Sequence, residues 1–257
     1  SLGFGLNVQW IDATFTNQVN YSGALLQAGG PATPGLETGV RIKGSDTAFG
    51  WNAGLLWELD KDRRVGVHFR SGIRYDVSGD VTFTNPTTSN PAAAAVNTNV
   101  LFNSGVTAKV ELPPIVNLSY YGAIDNRWAV MADAQWTGWS TVKDLTFVRS
   151  SGVTLGSTPE NFKDVWKVAA GASYRYDGTW LFRGGVAYDK SPVQREFRTP
   201  RLPDHDRVWL TAGAQYRLNP KMQLDFGAGY VRAKEAAINK SGDPPSVTMI
   251  QPAPTDW

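Results

Sequence analysis

The sequence predicts an all-β chain, an antiparallel transmembrane β-barrel, and three observations carry that prediction. Apolar residues alternate with polar or small ones over long runs, aromatic residues gather at both ends of those runs, and short polar turns alternate with long connections. Composition agrees: the 257 residues include 26 Gly, 10 Trp, 9 Tyr and 11 Phe, with almost no apolar rhythm of helical period. The longest uncharged stretches, residues 13–36 and 81–108, are full of Thr, Asn, Gly and Pro. Neither suits a membrane-crossing helix, which needs about 20 apolar residues.

The first alternating run sets Leu2, Phe4, Leu6, Val8 and Trp10 against Asn7 and Gln9. Next, Phe49, Trp51, Ala53, Leu55, Trp57 and Leu59 oppose Asn52, Gly54 and Glu58; Val65, Val67, Phe69, Ile73 and Tyr75 then oppose His68, Arg70, Arg74 and Asp76. A weaker run follows, Val116, Leu118 and Tyr120 against Asn117 and Ser119, and then Trp128, Val130, Ala132, Ala134 and Trp136 against Asp133, Gln135 and Thr137. Trp166, Val168, Ala170, Ala172, Tyr174 and Tyr176 face away from Lys167, Ala169, Gly171, Ser173 and Arg175. Trp180, Phe182, Gly184, Val186 and Tyr188 oppose Arg183, Gly185, Ala187 and Asp189. The last two runs are Val208, Leu210, Ala212, Ala214 and Tyr216 against Thr211, Gly213, Gln215 and Arg217, and Met222, Leu224, Phe226, Ala228 and Tyr230 against Gln223, Asp225, Gly227 and Gly229. This makes about nine strands, most of them about twice as long as the strands of a soluble sandwich.

Tight turns are expected at Asp60-Lys61-Asp62-Arg63, Asp125-Asn126-Arg127, Asp177-Gly178-Thr179 and Asn219-Pro220-Lys221. Residues 20–45, 83–113, 150–164 and 191–206 read as long loops on the opposite rim. Trp57, Trp128, Tyr176, Trp180 and Tyr216 lie beside the tight turns, whereas Trp10, Trp51, Trp136, Tyr188 and Tyr230 lie near the long-loop ends. Two aromatic girdles are what a bilayer with two interfaces selects. An odd strand count, a start inside an alternating run and no alternating strand after Lys240 lead us to expect residues 1–257 to be a partial outer-membrane barrel domain, lacking both edge strands.

Chemistry is sparse. The formal charge of +2 gives no reason to expect a nucleic-acid partner, and the absence of Cys excludes thiolate metal sites, Cys nucleophiles and disulfides. His68 alternates with Gly66 and Arg70 on the inner face, and Asp204, His205 and Asp206 are adjacent loop residues pointing in different directions. Neither pattern makes a metal site. No nucleophile elbow, dinucleotide fingerprint or P-loop is present, so no catalysis and no cofactor are expected.

The inner-face charges Arg70, Arg74, Asp76, Lys167, Arg175, Arg183, Asp189, Arg217 and Asp225 form a mixed-sign lumen lining, for which pairing across neighbouring strands is one reading. In a sharper one, the cations Lys163 and Lys167 at the long-loop rim receive a carboxylate head group. Apolar residues 92–96 with Val100, Leu101 and Phe102, in a segment read as an exposed loop, either meet a ligand or lipid or pack the loops together.

The linked segments Phe49-Gly50-Trp51-Asn52-Ala53-Gly54-Leu55-Leu56-Trp57-Glu58-Leu59-Asp60, Phe162-Lys163-Asp164, Trp180-Leu181-Phe182-Arg183-Gly184-Gly185, Asp189-Lys190-Ser191-Pro192-Val193 and Leu202-Pro203-Asp204-His205-Asp206-Arg207-Val208-Trp209 occur in an order that resembles the FadL family. These are outer-membrane transporters for long-chain fatty acids and aromatic hydrocarbons. The resemblance implies a fourteen-stranded barrel blocked by a hatch, with the chain matching the later strands. It also implies that the carboxylate-binding lysine falls on Lys163, while the position of its arginine partner falls on Asp12. Passive uptake of hydrophobic molecules across a Gram-negative outer membrane is therefore the expected function, with membrane lipids, lipopolysaccharide and hydrophobic cargo as partners and a monomeric full-length protein. A general porin for hydrophilic solutes and a barrel-borne adhesin are the alternatives.

Overall fold

The computed structural model describes residues 1–27, 33, 35–199 and 202–236. The expected absence of a strand after Lys240 lies outside them. Long β1 (Leu2–Asn20) pairs along its whole length with β2 (Glu37–Glu58), from Leu2 opposite Leu55 to Asn20 opposite Glu37. The remaining strands are β3 (Arg63–Arg70), β4 (Ile73–Thr84), β5 (Ser104–Leu112), β6 (Ile115–Ala123), β7 (Trp128–Thr137), β8 (Asp144–Arg149), β9 (Thr154–Pro159), β10 (Val165–Arg175), β11 (Trp180–Asp189), β12 (Arg207–Asn219) and β13 (Met222–Ala233). All belong to one antiparallel sheet, in which the outer edges of β1 and β13 have no partner among the described residues. The sheet is open.

The tight turns form for a local reason. Each begins with Asp or Asn, whose side-chain oxygen accepts the N–H two residues on: Asp60 from Asp62, Asp125 from Arg127, Asp177 from Thr179 and Asn219 from Lys221. The long rim differs from expectation. Parts of the segments read as loops are strand, namely the start of β2, all of β5 and all of β9, and two short helices form there as well, α1 (Ser22–Gln27) and α2 (Pro91–Asn99). Asn90 caps α2, accepting the N–H groups of Ala92 and Ala93 at 2.9 and 3.3 Å.

Four strands of the wall are broken in two, and one of the breaks falls inside an alternating run, that of residues 65–75. One edge of β2 pairs with β3 through residues 52–58 and with β4 through residues 39–45. Eight steps on β2, from Asn52 to Gly44, are matched by nine on the opposite side, from Arg70 to Gly79. The extra residue at Ser71–Gly72 is a bulge, and it reverses which face successive side chains take. Pro113 and Pro114, which donate no backbone hydrogen bond, break the next strand between β5 and β6. A short turn at Trp139–Thr141 divides β7 from β8, and residues 160–164 divide β9 from β10. These breaks lie on neighbouring strands and form a seam across the wall.

Below the seam the alternation is as expected. One inner row reads His68, Asn117, Gln135, Lys167, Asp189 and Arg207 across six neighbouring strands, and the next residue along each strand faces outward: Val67, Leu118, Ala134, Val168, Tyr188 and Val208. At the tight-turn rim Trp128 packs on Tyr174 and Trp180 on Tyr216, each with ring centroids 4.6 Å apart. Trp136 and Trp166 are register partners at the other end of the wall. Above the seam the inner face is a packed core of Ala48, Ile73, Tyr75 and Val77 with Ile11 and Val110.

The bulge corrects one expected position. Arg74 does not share the inner face of Arg70; its inward neighbours Ile73 and Tyr75 are buried, while its own side chain is 81% exposed and pairs with Glu111 at 3.1 Å. The same reversal turns Asp76 outward.

Candidate functional site

A cleft of about 880 Å³ opens on the inner face at the seam. It sits there because the breaks in the strands splay the wall. Its lining joins the apolar residues Ile73, Leu112, Trp139 and Phe162 to the charged residues Arg70, Lys167, Asp189 and Arg207. Trp139 and Phe162 hold each other edge to face at 5.8 Å.

The charges in the cleft are unevenly satisfied. Asp189 lies opposite Lys167 in the β10–β11 register, yet its carboxylate pairs with Arg207 of β12 at 3.3 Å. Arg207 also reaches Asp204 at 3.6 Å, and Asp204 accepts the Ser191 hydroxyl at 2.9 Å. The Lys167 ammonium stands instead over the Trp209 ring, 5.2 Å from its centroid. Neither Arg70 nor Lys167 forms an ion pair with a described residue.

Lys163 is exposed on the connection leading into β10, next to Phe162 of the cleft wall, and its N–H donates to the Pro192 carbonyl at 3.0 Å. Asp164 does not neutralise it: that carboxylate accepts the Ser140 N–H at 2.8 Å. Asp12 lies on the outward face of β1 with Trp10. Arg183 pairs with Asp225 at 3.3 Å near the other end of the wall, and Gln215 donates to the same carboxylate at 2.8 Å. Arg175 and Arg217 lie beyond them, exposed, on the face of Lys167 and close to the tight turns. The lumen charges thus divide into a cluster in the cleft and a separate one near the tight-turn rim.

Val100, Leu101 and Phe102 follow α2 and belong to a cap over the long-loop rim. Leu101 is buried there with Tyr21, Leu36 and Ala93, whereas Val100 and Phe102 keep 56% and 42% of their surface exposed. The cap joins two connections: the Tyr21 hydroxyl donates to Asn97 at 2.6 Å, Thr38 to Asn85 at 2.6 Å and Asn90 to Thr33 at 3.0 Å. Burial pushes the Tyr21 hydroxyl above its usual pKa, against the hydrogen bond to Asn97.

Arg149, which sequence reasoning missed, ties the cap to β8. It is 5% exposed, donates to the carbonyls of Val100 and Phe102 at 2.7 and 2.8 Å and to the Ser104 hydroxyl at 2.7 Å, and lies 4.1 Å from the Phe102 ring centroid. Its burial lowers the guanidinium pKa. No sequence signal marks it, since a single Arg between Val148 and Ser150 reads as one more strand charge.

An aromatic-banded outer face, a polar inner row and a cleft of ligand size define a transmembrane β-barrel segment. The chain belongs to the family described as outer membrane protein transport protein (OMPP1/FadL/TodX), whose model matches residues 1–251. It is 34% identical over 247 residues to a long-chain fatty acid transport protein of Escherichia coli O6:H1, covering 91% of this chain and 50% of that protein. A Salmonella typhi protein of the same description is 31% identical over 251 residues, covering 93% of this chain and 57% of that one. The chain spans about half the length of the curated relatives it matches. Among solved structures, a Pseudomonas aeruginosa FadL homologue superposes with a TM-score of 0.77 at 27% identity, over 90% of this chain and 55% of that one. The Ralstonia pickettii toluene transporter TbuX shares the fold with a TM-score of 0.59 at 21% identity, over 88% of this chain and 57% of that one.

Proposed function

We propose passive uptake of hydrophobic molecules, long-chain fatty acids or aromatic hydrocarbons, across a Gram-negative outer membrane, with this chain supplying the later strands of the barrel. The observation that carries this reading is the cleft, whose lining combines apolar residues with Arg70 and Lys167, two cations without an ion-pair partner among the described residues. An alkyl chain suits the apolar residues and a carboxylate the cations. The family membership supports transport rather than catalysis, and the FadL and toluene-transporter names of its relatives bracket the cargo.

Lys163, the lysine that the family resemblance singles out, tests the reading. A charge-assisted hydrogen bond to a carboxylate contributes about 1.5–3 kcal/mol. Lys163→Met in the full protein should therefore weaken fatty-acid binding roughly ten- to a hundred-fold, at about 1.4 kcal/mol per decade, and leave toluene binding and barrel yield unchanged. Equal loss for both ligands would reduce Lys163 to a structural role. A full protein that binds neither ligand and instead carries a steady ion current in planar bilayers would replace the transporter reading with a porin.

A further inference from the structure

Asp189 is the residue best placed to silence Lys167, and the fold prevents it from doing so. The two are register partners on adjacent inner-face positions, where opposite charges ordinarily pair. Arg207, the register partner of Asp189 on its other side, takes that carboxylate at 3.3 Å and holds Asp204 at 3.6 Å as well. One arginine thereby occupies two acids of the cleft. Lys167 is left over the face of Trp209, whose indole N–H is buried without an acceptor. The ring attracts the ammonium without neutralising it, so its charge remains available to a ligand.

We propose that Lys167 is a specificity-determining cation of the cleft, receiving the head group of a long-chain monocarboxylate, and that Arg207 is a positioning residue that keeps Lys167 free by sequestering Asp189. This rests on the transport reading above and deepens it: the cargo is bound as a carboxylate anion, with its chain along Ile73, Leu112, Trp139 and Phe162. Removing Arg207 releases Asp189 to pair with Lys167 and leaves a negative charge where the ligand's own must sit. The loss of acid binding then comes from a residue that need not touch the ligand, and deleting the released acid reverses it.

The test is oleate and toluene binding to the full protein in detergent micelles, for wild type, Lys167→Gln, Arg207→Gln and the double variant Arg207→Gln/Asp189→Asn. Lys167→Gln and Arg207→Gln should each weaken oleate binding by about tenfold or more, the loss of one charge-assisted contact. The double variant should recover to within about threefold of wild type, and toluene binding should hold throughout. Oleate binding unchanged in Arg207→Gln, or still weak in the double variant while toluene binding holds, overturns the proposal. So does a wild type that binds toluene and not oleate, which leaves the transport reading intact. A wild type that binds neither overturns both.

Discussion

Strands β4 and β13 are each 12 residues long and belong to the same sheet, yet they inhabit different surroundings. In β4, Ile73, Tyr75 and Val81 are 1%, 3% and 0% exposed, whereas the outward Phe226 and Tyr230 of β13 are 60% and 62% exposed. Above the seam the sheet curls on itself far enough for Phe15 of β1 to meet Phe147 of β8 at 5.5 Å. That part carries its own core, and β4 exposes Arg74, Asp76 and Asp80 on its other face. Below the seam the outer face keeps Trp, Leu and Phe uncovered and requires hydrocarbon to cover them. The difference explains where the cleft lies: at the junction of a part that packs with a part that spans, neither side can fill the space between them.

The largest expected effect falls on the spanning part. Ala170 and Ala212 face outward in mid-strand, and Ser173 faces inward. Ala170→Arg or Ala212→Arg should cost about 2–4 kcal/mol where these residues lie near the bilayer midplane, read as loss of assembled barrel in outer-membrane fractions. Ser173→Arg should cost far less. Equal costs would break the distinction between lipid face and lumen face.

A smaller effect should stay above the seam. Arg149→Met keeps an unbranched apolar stem but leaves the Val100 and Phe102 carbonyls and the Ser104 hydroxyl without their donor. These groups are only partly buried, so each one left unpaired costs at most about 1 kcal/mol, the low end of the range for buried groups, and the cap should open to protease between β4 and β5 while barrel yield holds. A fall in assembly as deep as that of Ala170→Arg would show that the packed part and the wall are one cooperative unit.

These two regions were not equally legible in the sequence. Each alternating run contains a strand, because below the seam one face meets lipid and the other the lumen, and period two records that directly. The breaks were hidden. Ser71-Gly72 inserts one residue without disturbing composition, so the run appeared to continue through Ile73 and Tyr75, and Arg74 was placed on the wrong face. Residues 37–45 and 104–112 read as loops because Gly, Thr and Ser dilute their apolar pattern, although β2 and β5 run through them. The site was half legible. Lys167 and Asp189 follow from alternation alone, but whether they pair with each other depends on Arg207, whose reach only the register reveals. Phe102 and Val100 stood out as apolar residues, while the arginine that fixes them is remote in sequence.

The smallest effect concerns the connection between β11 and β12, which borders the cleft on the water side. Burial alone would raise the pKa of Asp206, but hydrogen bonds from the Tyr188 hydroxyl at 2.6 Å and the Ser191 N–H at 3.0 Å, with His205 and Lys234 nearby, bring it below the ordinary carboxylate value. A carboxylate whose pKa is depressed by folding contributes stability that is fully present above its unfolded value of about 3.9 and is lost as pH falls through the folded one. Acidification should therefore loosen residues 191–206 only below about pH 4, seen as faster proteolysis within that segment while the barrel itself stays assembled. Asp206→Asn should raise susceptibility already at neutral pH and abolish the acid step, because amide and carboxylate differ in charge but not in size. An acid step that persists in the variant would assign it to another carboxylate, with Asp204, held by Ser191 and Arg207, the neighbour to test next. Loosening that spread at once into β11 and β12 would mean that this rim, unlike the cap, has no boundary with the wall.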